Sequence, residues 1–367
     1  MSRASTPALQ KPVTLSDVAK AAGVALGTAS RVLNNFTDVD PDTRQRVLST
    51  VDRLRYTPLR TRRAGRVARE AGDRAPNIGL ILLGMDDSLV HVPVLTEILH
   101  GVDAAISGLN GSLMLANVPD VSRVPAFLKE SQVEGLIVKT SQYNALPDPE
   151  ANPLMRILLR FPIVWVWAKP DGVPGDLCSF SHETAARLAA AELLAKGHRR
   201  VAFLNPKKGK SSLEHIKKEF RCACEDLGLE MTALESASSR VLLWPEPALT
   251  SAEELRPLVE QWNSIPASRR PTAIFVPADN IAVHLFSALE NHRIRVPQDV
   301  SVISCNYERS LMPSFKPSLA TINVNASQIG MRSVSQLVTR IRGRVDHVAH
   351  TVLLEPSLVP GDSVAKL

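Results

Sequence analysis

The chain has 367 residues, with 43 lysines and arginines against 37 aspartates and glutamates and a formal net charge of +6. That length allows two or three domains and a sizeable core, and no apolar run approaches membrane-spanning length. Residues 1–10 carry no apolar signal core, so a secreted or membrane protein is not expected and a cytoplasmic one is.

The charge is uneven. Residues 1–74 hold 14 Lys/Arg and 7 Asp/Glu, a net +7, while the remaining 29 and 30 give −1. A basic module joined to a neutral body is the electrostatic footprint of phosphate binding. Residues 1–11 read as a disordered tail and 12–57 as three short helices. Thr14 is a good N-cap with Asp17 three positions on, and Val18, Ala19 and Ala22 recur at helical spacing. Gly23 supplies a sharp corner plugged by Val24, and a second helix spans about 25–34 with Ala29, Val32 and Leu33 inward. Leu26, Gly27, Thr28, Ser30 and Arg31 are left facing outward. Asp40-Pro41-Asp42 opens a third helix whose Val47, Val51 and Leu54 form one stripe. Two helices joined through a glycine corner make a helix-turn-helix, whose second helix enters the major groove of DNA.

Ala22-Gly23-Val24, Thr28, Ser30-Arg31-Val32-Leu33-Asn34, Thr43-Arg44 and Tyr56-x-Pro58 together resemble the headpiece of the LacI/GalR family of bacterial repressors. The resemblance makes Leu26, Gly27 and Arg31 the base-reading positions and Thr28 and Ser30 backbone contacts. It extends DNA contact to Thr14, Leu15, Asn34 and Tyr56. Two residues depart from the family: Ala25 stands where a phosphate-binding Ser is usual, and Gly27 has no side chain to read a base. Direct readout then falls on Arg31, suited to guanine O6 and N7, and on Leu26, suited to a thymine methyl.

Residues 58–76 are a basic linker carrying Arg60, Arg62, Arg63, Arg66, Arg69 and Arg74. The family's hinge folds there on operator DNA and wedges an apolar pair into the minor groove, which implicates Leu59, Arg62 and Arg63 in DNA contact. Gly65 falls at the wedge position, with Leu59 or Val67 as replacements, so folding on DNA is expected and the wedge is not.

From residue 77 the texture changes to alternating strands and helices. Strand-like runs fall at 78–83, 113–116, 135–138, 163–167, 201–204, 241–243, 273–276 and 300–305. Helical patterns fall at 94–109, 184–196, 212–227 and 281–291, several of them ending at glycines 108, 197 and 228. Such alternation predicts two doubly wound, parallel-sheet α/β subdomains, with ligands outside the carboxyl ends of the strands. Markers such as His91-Val92-Pro93, Phe180-Ser181-His182-Glu183 and Gly197-His198-Arg199-Arg200 carry the family resemblance through this region. It implies a periplasmic-binding-protein-like core that forms homodimers and binds a small carbohydrate-like effector. The expected partition places 77–168 plus 307–325 in the first subdomain and 169–306 plus 326–367 in the second.

The effector positions depart most from the family. The sugar-binding Arg becomes Ile216, the Asn of the Asn-Asp pair becomes Ala278 with Asp279 kept, and a pocket Asp becomes Trp167. Asn306 replaces the first Asp of the Gly-Phe-Asp-Asp loop, and Lys139 stands at a strand end. Asp86, Asp87, Asn205 and Trp244 complete the candidate set. Losing two carboxylates and gaining a cation points to an effector more acidic or more aromatic-faced than a neutral sugar. Loss of the Arg argues the other way, and a pocket without any ligand stays open.

No Gly-x-Gly-x-x-Gly, Walker, Gly-x-Ser-x-Gly or His-Glu-x-x-His motif is present, so no enzyme and no cofactor is expected. His182 and His198 read as structural, and Asp86-Asp87 as an acidic pair on opposite faces of an extended segment. Cys178, Cys222, Cys224 and Cys305 lack zinc-ligand spacing and are expected as reduced thiols, with no metal site. The expectation is a dimeric transcriptional regulator, most simply a repressor, on a palindromic operator in double-stranded DNA.

Overall fold

The computed structural model describes residues 14–33, 39–54, 75–84, 93–119, 122–140, 146, 148, 152–236, 252–343 and 348–367. The chain divides into two units, residues 1–74 and 75–367.

The first unit holds α1 (Leu15–Ala22), α2 (Leu26–Leu33) and α3 (Pro41–Arg53). Thr14 and Asp17 form a reciprocal capping box: the Asp17 amide donates to Thr14 Oγ1 at 3.3 Å, and the Thr14 amide donates to Asp17 at 2.8 Å. Gly23 ends α1 in the left-handed region at φ +66°, where its amide and that of Val24 collect the last carbonyls. Asp40 caps α3 by accepting from the Thr43 amide, a hydrogen bond that holds its pKa below the ordinary range. Val18, Ala19, Ala22, Ala29, Val32 and Val47 form a small closed core, with Val51 and Leu54 packed against it.

The second unit contains two six-stranded sheets. Sheet one comprises β1 (Asn77–Leu83), β2 (Ser112–Val118), β3 (Gly135–Thr140), β4 (Ile163–Val166), β5 (Asp176–Phe180) and β11 (Thr351–Leu354), ordered 11-5-4-3-1-2 and parallel throughout. Sheet two comprises β6 (Arg200–Asn205), β7 (Glu230–Glu235), β8 (Ala273–Phe275), β9 (Ser301–Asn306), β10 (Ala320–Asn323) and β12 (Ser357–Val359). Its order is 12-10-9-8-6-7, with β12 the antiparallel edge. Buried runs such as Ile78–Leu83 and Val201–Asn205 explain the continuous apolar texture, because helices cover both sheet faces.

In chain order the helices are α4 (Val94–Gly108), α5 (Ala126–Lys129), α6 (Pro153–Leu158), α7 (His182–Ala195), α8 (Ser211–Leu227), α9 (Arg256–Ser264), α10 (Asp279–Asn291) and α11 (Ala326–Ile341). Helices α4 and α11 pack together on one face of sheet one, α5 and α6 on the other. Helices α7 and α8 cover one face of sheet two, and α9 and α10 the other.

The partition of the body differs from expectation. Strand β10 lies in sheet two rather than in the first subdomain, whereas β5, α11 and β11 belong with sheet one. The chain therefore crosses between sheets after β5, after β10 and after β11. The crossovers are laced together: Ser181 donates its amide to the Leu354 carbonyl at 3.0 Å, and Asn325 Nδ2 donates to the Glu355 carbonyl at 2.9 Å. Asn325 itself takes φ +58° to turn the chain. The expected strand at 241–243 lies outside the described residues, and the strand beside β6 is β7. Glycines 197 and 228 adopt positive φ after α7 and α8, but Gly108 is helical and Asn110 makes the left-handed turn.

Candidate DNA-binding and effector sites

Helix α2 presents its outer face as the pattern requires. Ala29 and Val32 are buried, while Leu26 is 54% exposed and Arg31 is exposed. Thr28 and Ser30 are half-buried flanks. A Cβ built on Gly27 would meet nothing within 4 Å, so the glycine faces open space. Thr14 serves the capping box at the start of α1, and Leu15 packs against the headpiece core. Asn34, Tyr56, Leu59, Arg62 and Arg63 lie outside the described residues.

In the body, the candidate effector residues sort by the edges they occupy. Lys139 is buried near the carboxyl end of β3 and donates to the Thr140 carbonyl at 2.5 Å. Trp167 follows β4 at φ +76°, half-exposed, where a bulky residue in the left-handed region is strained. Its ring meets Phe180 edge-on at 5.0 Å, Phe180 stacks on His182 at 4.1 Å, and His182 meets His215 at 4.7 Å. This line of rings runs over the first crossover from sheet one to α7 and α8. Burial, with His215 beside it, pushes the His182 pKa down to about 3, so its imidazole is neutral.

Three candidates turn inward. Ile216 packs in the core with Phe220, an apolar side chain where the family's Arg would reach out. Asn205 donates to Glu214 at 3.0 Å and accepts from the Lys207 amide at 3.1 Å, tying the end of β6 to α8. Glu214 and Glu235 share Lys217, and both carboxyls are held below their ordinary pKa; burial opposes this, but the lysine outweighs it. Asp279 is fully buried, and its carboxylate accepts from the Ser304 and Thr321 hydroxyls and, at 2.7 Å, from the Glu308 amide. Its acceptor sites serve β9, β10 and the loop after β9, so it is a framework residue. Asp86, Asp87 and Trp244 lie outside the described residues.

Sequence reasoning missed Glu308 and Arg309. Asn306 and Tyr307 both take positive φ, +105° and +57°, and so aim the next two side chains at α4. Glu308 is buried and accepts from Asn306 Nδ2 at 3.2 Å and from the Asn280 amide at 3.1 Å. Arg309 grips Glu97 with Nε and an Nη, at 3.1 and 2.5 Å. An acid beside an arginine in a loop carries no sequence signal, because Glu97, the partner of Arg309, lies 212 residues away.

A basic three-helix unit with an exposed second helix, joined to a body of two crossover-linked parallel sheets, defines a DNA-binding regulator with a periplasmic-binding-protein-like domain. Residues 14–58 match the model of the bacterial regulatory proteins of the lacI family, and residues 190–364 match the periplasmic binding protein-like domain. The "Uncharacterized HTH-type transcriptional regulator YkvZ" of Bacillus subtilis is 30% identical over 336 residues, covering 90% of this chain and 94% of its own. The "HTH-type transcriptional repressor PurR" of Mannheimia succiniciproducens is 28% identical, covering 96% of this chain and 99% of its own. A lac repressor dimer, solved bound to operator and the anti-inducer ONPF, shares the fold with a TM-score of 0.59 at 24% identity. It covers 97% of this chain and 100% of its own. The chain belongs to the lacI family, whose members are transcriptional regulators rather than enzymes.

Proposed function

We propose that this protein is a transcriptional repressor that binds a palindromic operator as a homodimer and is controlled by a small carbohydrate-like effector between its two sheets. In this reading residues 12–57 are the headpiece, 58–76 a basic hinge and 77–367 the effector and dimerisation body of a cytoplasmic protein. The observation that carries it is the outer face of α2, where Leu26 and Arg31 stand exposed on either side of a bare Gly27. The operator-bound dimer among the structural relatives supports the same assembly. Arg31 reads a guanine and Leu26 a thymine methyl, with no base contact from position 27. Arg31→Ala is expected to cost operator binding about 1–3 kcal/mol and leave random DNA nearly unaffected. Equal weakening on both, measured by titration at fixed salt, would remove Arg31 from base readout.

For the effector, the half-exposed Trp167 supplies a ring face at the carboxyl end of β4, with Lys139 one strand away. This favours a ligand with a flat sugar-like face and tolerates an acidic substituent. Thermal unfolding against neutral sugars, sugar acids, sugar phosphates and purines tests it, since a ligand bound only by the folded state raises the midpoint. A shift abolished by Trp167→Ala supports the reading. No shift with any of the four classes would point to a regulator without such an effector.

A further inference from the structure

Besides the three crossovers, the loop after β9 reaches from the carboxyl edge of sheet two to that of sheet one. Helix α4 begins at the carboxyl edge of sheet one and α10 at that of sheet two, so each presents unsatisfied amides and the positive end of its dipole there. Glu308 places its carboxyl at the start of α10, accepting from the Asn280 amide at 3.1 Å, and the Val94 amide at the start of α4 favours its charged form. One residue on, Arg309 closes a bidentate pair with Glu97 in the first turn of α4. Two consecutive non-glycine residues, Asn306 and Tyr307, hold positive φ to deliver this pair, a backbone cost that only a rewarded geometry sustains.

We propose that residues 306–309 form a latch that holds the carboxyl edges of the two sheets together and passes their separation directly to α4. Helix α4 can transmit the change because it is locked rigidly to α11. A Cβ on Gly101 would overlap the Ser327 carbonyl, and one on Gly330 would overlap that of Ile98. Opening the latch frees the start of α4 while its middle stays pinned, so the helix pivots on the sheet whose first strand receives the DNA-binding unit. That last consequence rests on the repressor reading; the latch itself does not.

The latch is tested on the full-length protein without DNA or effector, by hydrogen exchange of the amides in 94–98. Arg309→Glu removes the outer pair and adds repulsion, and is expected to speed exchange there about fivefold while α7 and α8 are unchanged. The double exchange Arg309→Glu with Glu97→Arg restores the pair in reverse and should return the rate towards wild type. Glu308→Ala should speed the same amides further, with retained far-ultraviolet circular dichroism showing that the body folds. Unchanged exchange in Arg309→Glu, or a double variant no slower than the single one, overturns the latch. Operator affinity measured separately on the same variants tells failure of the repressor reading from failure of the latch: altered exchange with no DNA binding by wild type would spare the latch alone.

Discussion

Thr14 and Asp17 carry a share of headpiece stability out of proportion to their size. Each satisfies an amide that the start of α1 would leave open, and the core beneath has six buried apolar side chains among the described residues. Thr14→Ala is expected to cost about 1 kcal/mol of headpiece stability, read as a lower midpoint for its unfolding transition with the body's midpoint unchanged. Gly27 offers the opposite experiment. Its site is open, so Gly27→Ser should fold as well as wild type within roughly 1 kcal/mol and change the preferred operator base at one position per half-site. A selection from randomised half-sites measures this, and an unchanged preference would place position 27 away from the bases. These residues were legible in sequence because a capping box, a glycine corner and an outward face are defined within four or five positions. Ile216 and Asp279 were not, because a family position tells where a residue falls in the chain and not whether the surrounding core has claimed its side chain.

Among elements, the strands with apolar runs announced themselves, the edge strand β2 included, and the short or polar ones did not. β1, β3, β4, β6, β8 and β9 are buried on both faces and read as apolar runs. β5 carries Asp176 and Ser179 among its five residues, and β10, β11 and β12 are three or four residues long, so none has a pattern to find. Helix α11 was missed for a related reason: serines and Gly330 dilute its apolar stripe, and its reason for being helical is α4. The close approach of those two helices makes Gly330 a sensitive probe. Gly330→Ala forces a methyl against the Ile98 carbonyl and should destabilise the body by about 1–3 kcal/mol, although alanine favours an isolated helix. Chemical denaturation measures it, and a neutral or stabilising result would mean the helices separate without cost.

At the scale of the whole molecule, three buried carboxyl groups set opposite pH limits, Asp176 on one side and Asp279 with Glu308 on the other. Asp176 is buried at the start of β5, where Arg340, Gln336 and the His350 amide all donate to it. Burial raises its pKa, but these donors outweigh it and the net shift is downward. Its contribution is therefore present above the ordinary carboxylate pKa of about 4 and is lost as pH falls through its depressed value. Asp279 and Glu308 shift the other way, because burial penalises charge on both and Asp279 also repels charge on Glu308. Their contribution is complete below the ordinary carboxylate range and declines as pH rises through their raised values. Denaturant titrations from about pH 5 to about pH 8 should show body stability falling, with a shallower fall in Glu308→Gln. Parallel slopes in the two proteins would show that Glu308 does not carry that dependence. The subdomain partition belongs to this scale as well, and it was illegible for the same reason: a crossover is a relation between sheets, and no run of residues encodes it.

The lacing of the crossovers also sets an order of assembly. Sheet one lacks its outer strand until Thr351–Leu354 exists, and sheet two lacks its antiparallel edge until Ser357–Val359 does. The hydroxyl of Ser363 then bonds the Val302 carbonyl and the Ala320 amide, and the Leu367 amide bonds the Lys196 carbonyl. During synthesis, neither half of the body can be finished until residues 351–367 emerge, however long its earlier strands have waited outside the ribosome. A message cut short by even 20 codons would thus release a body that lacks one edge strand from each sheet.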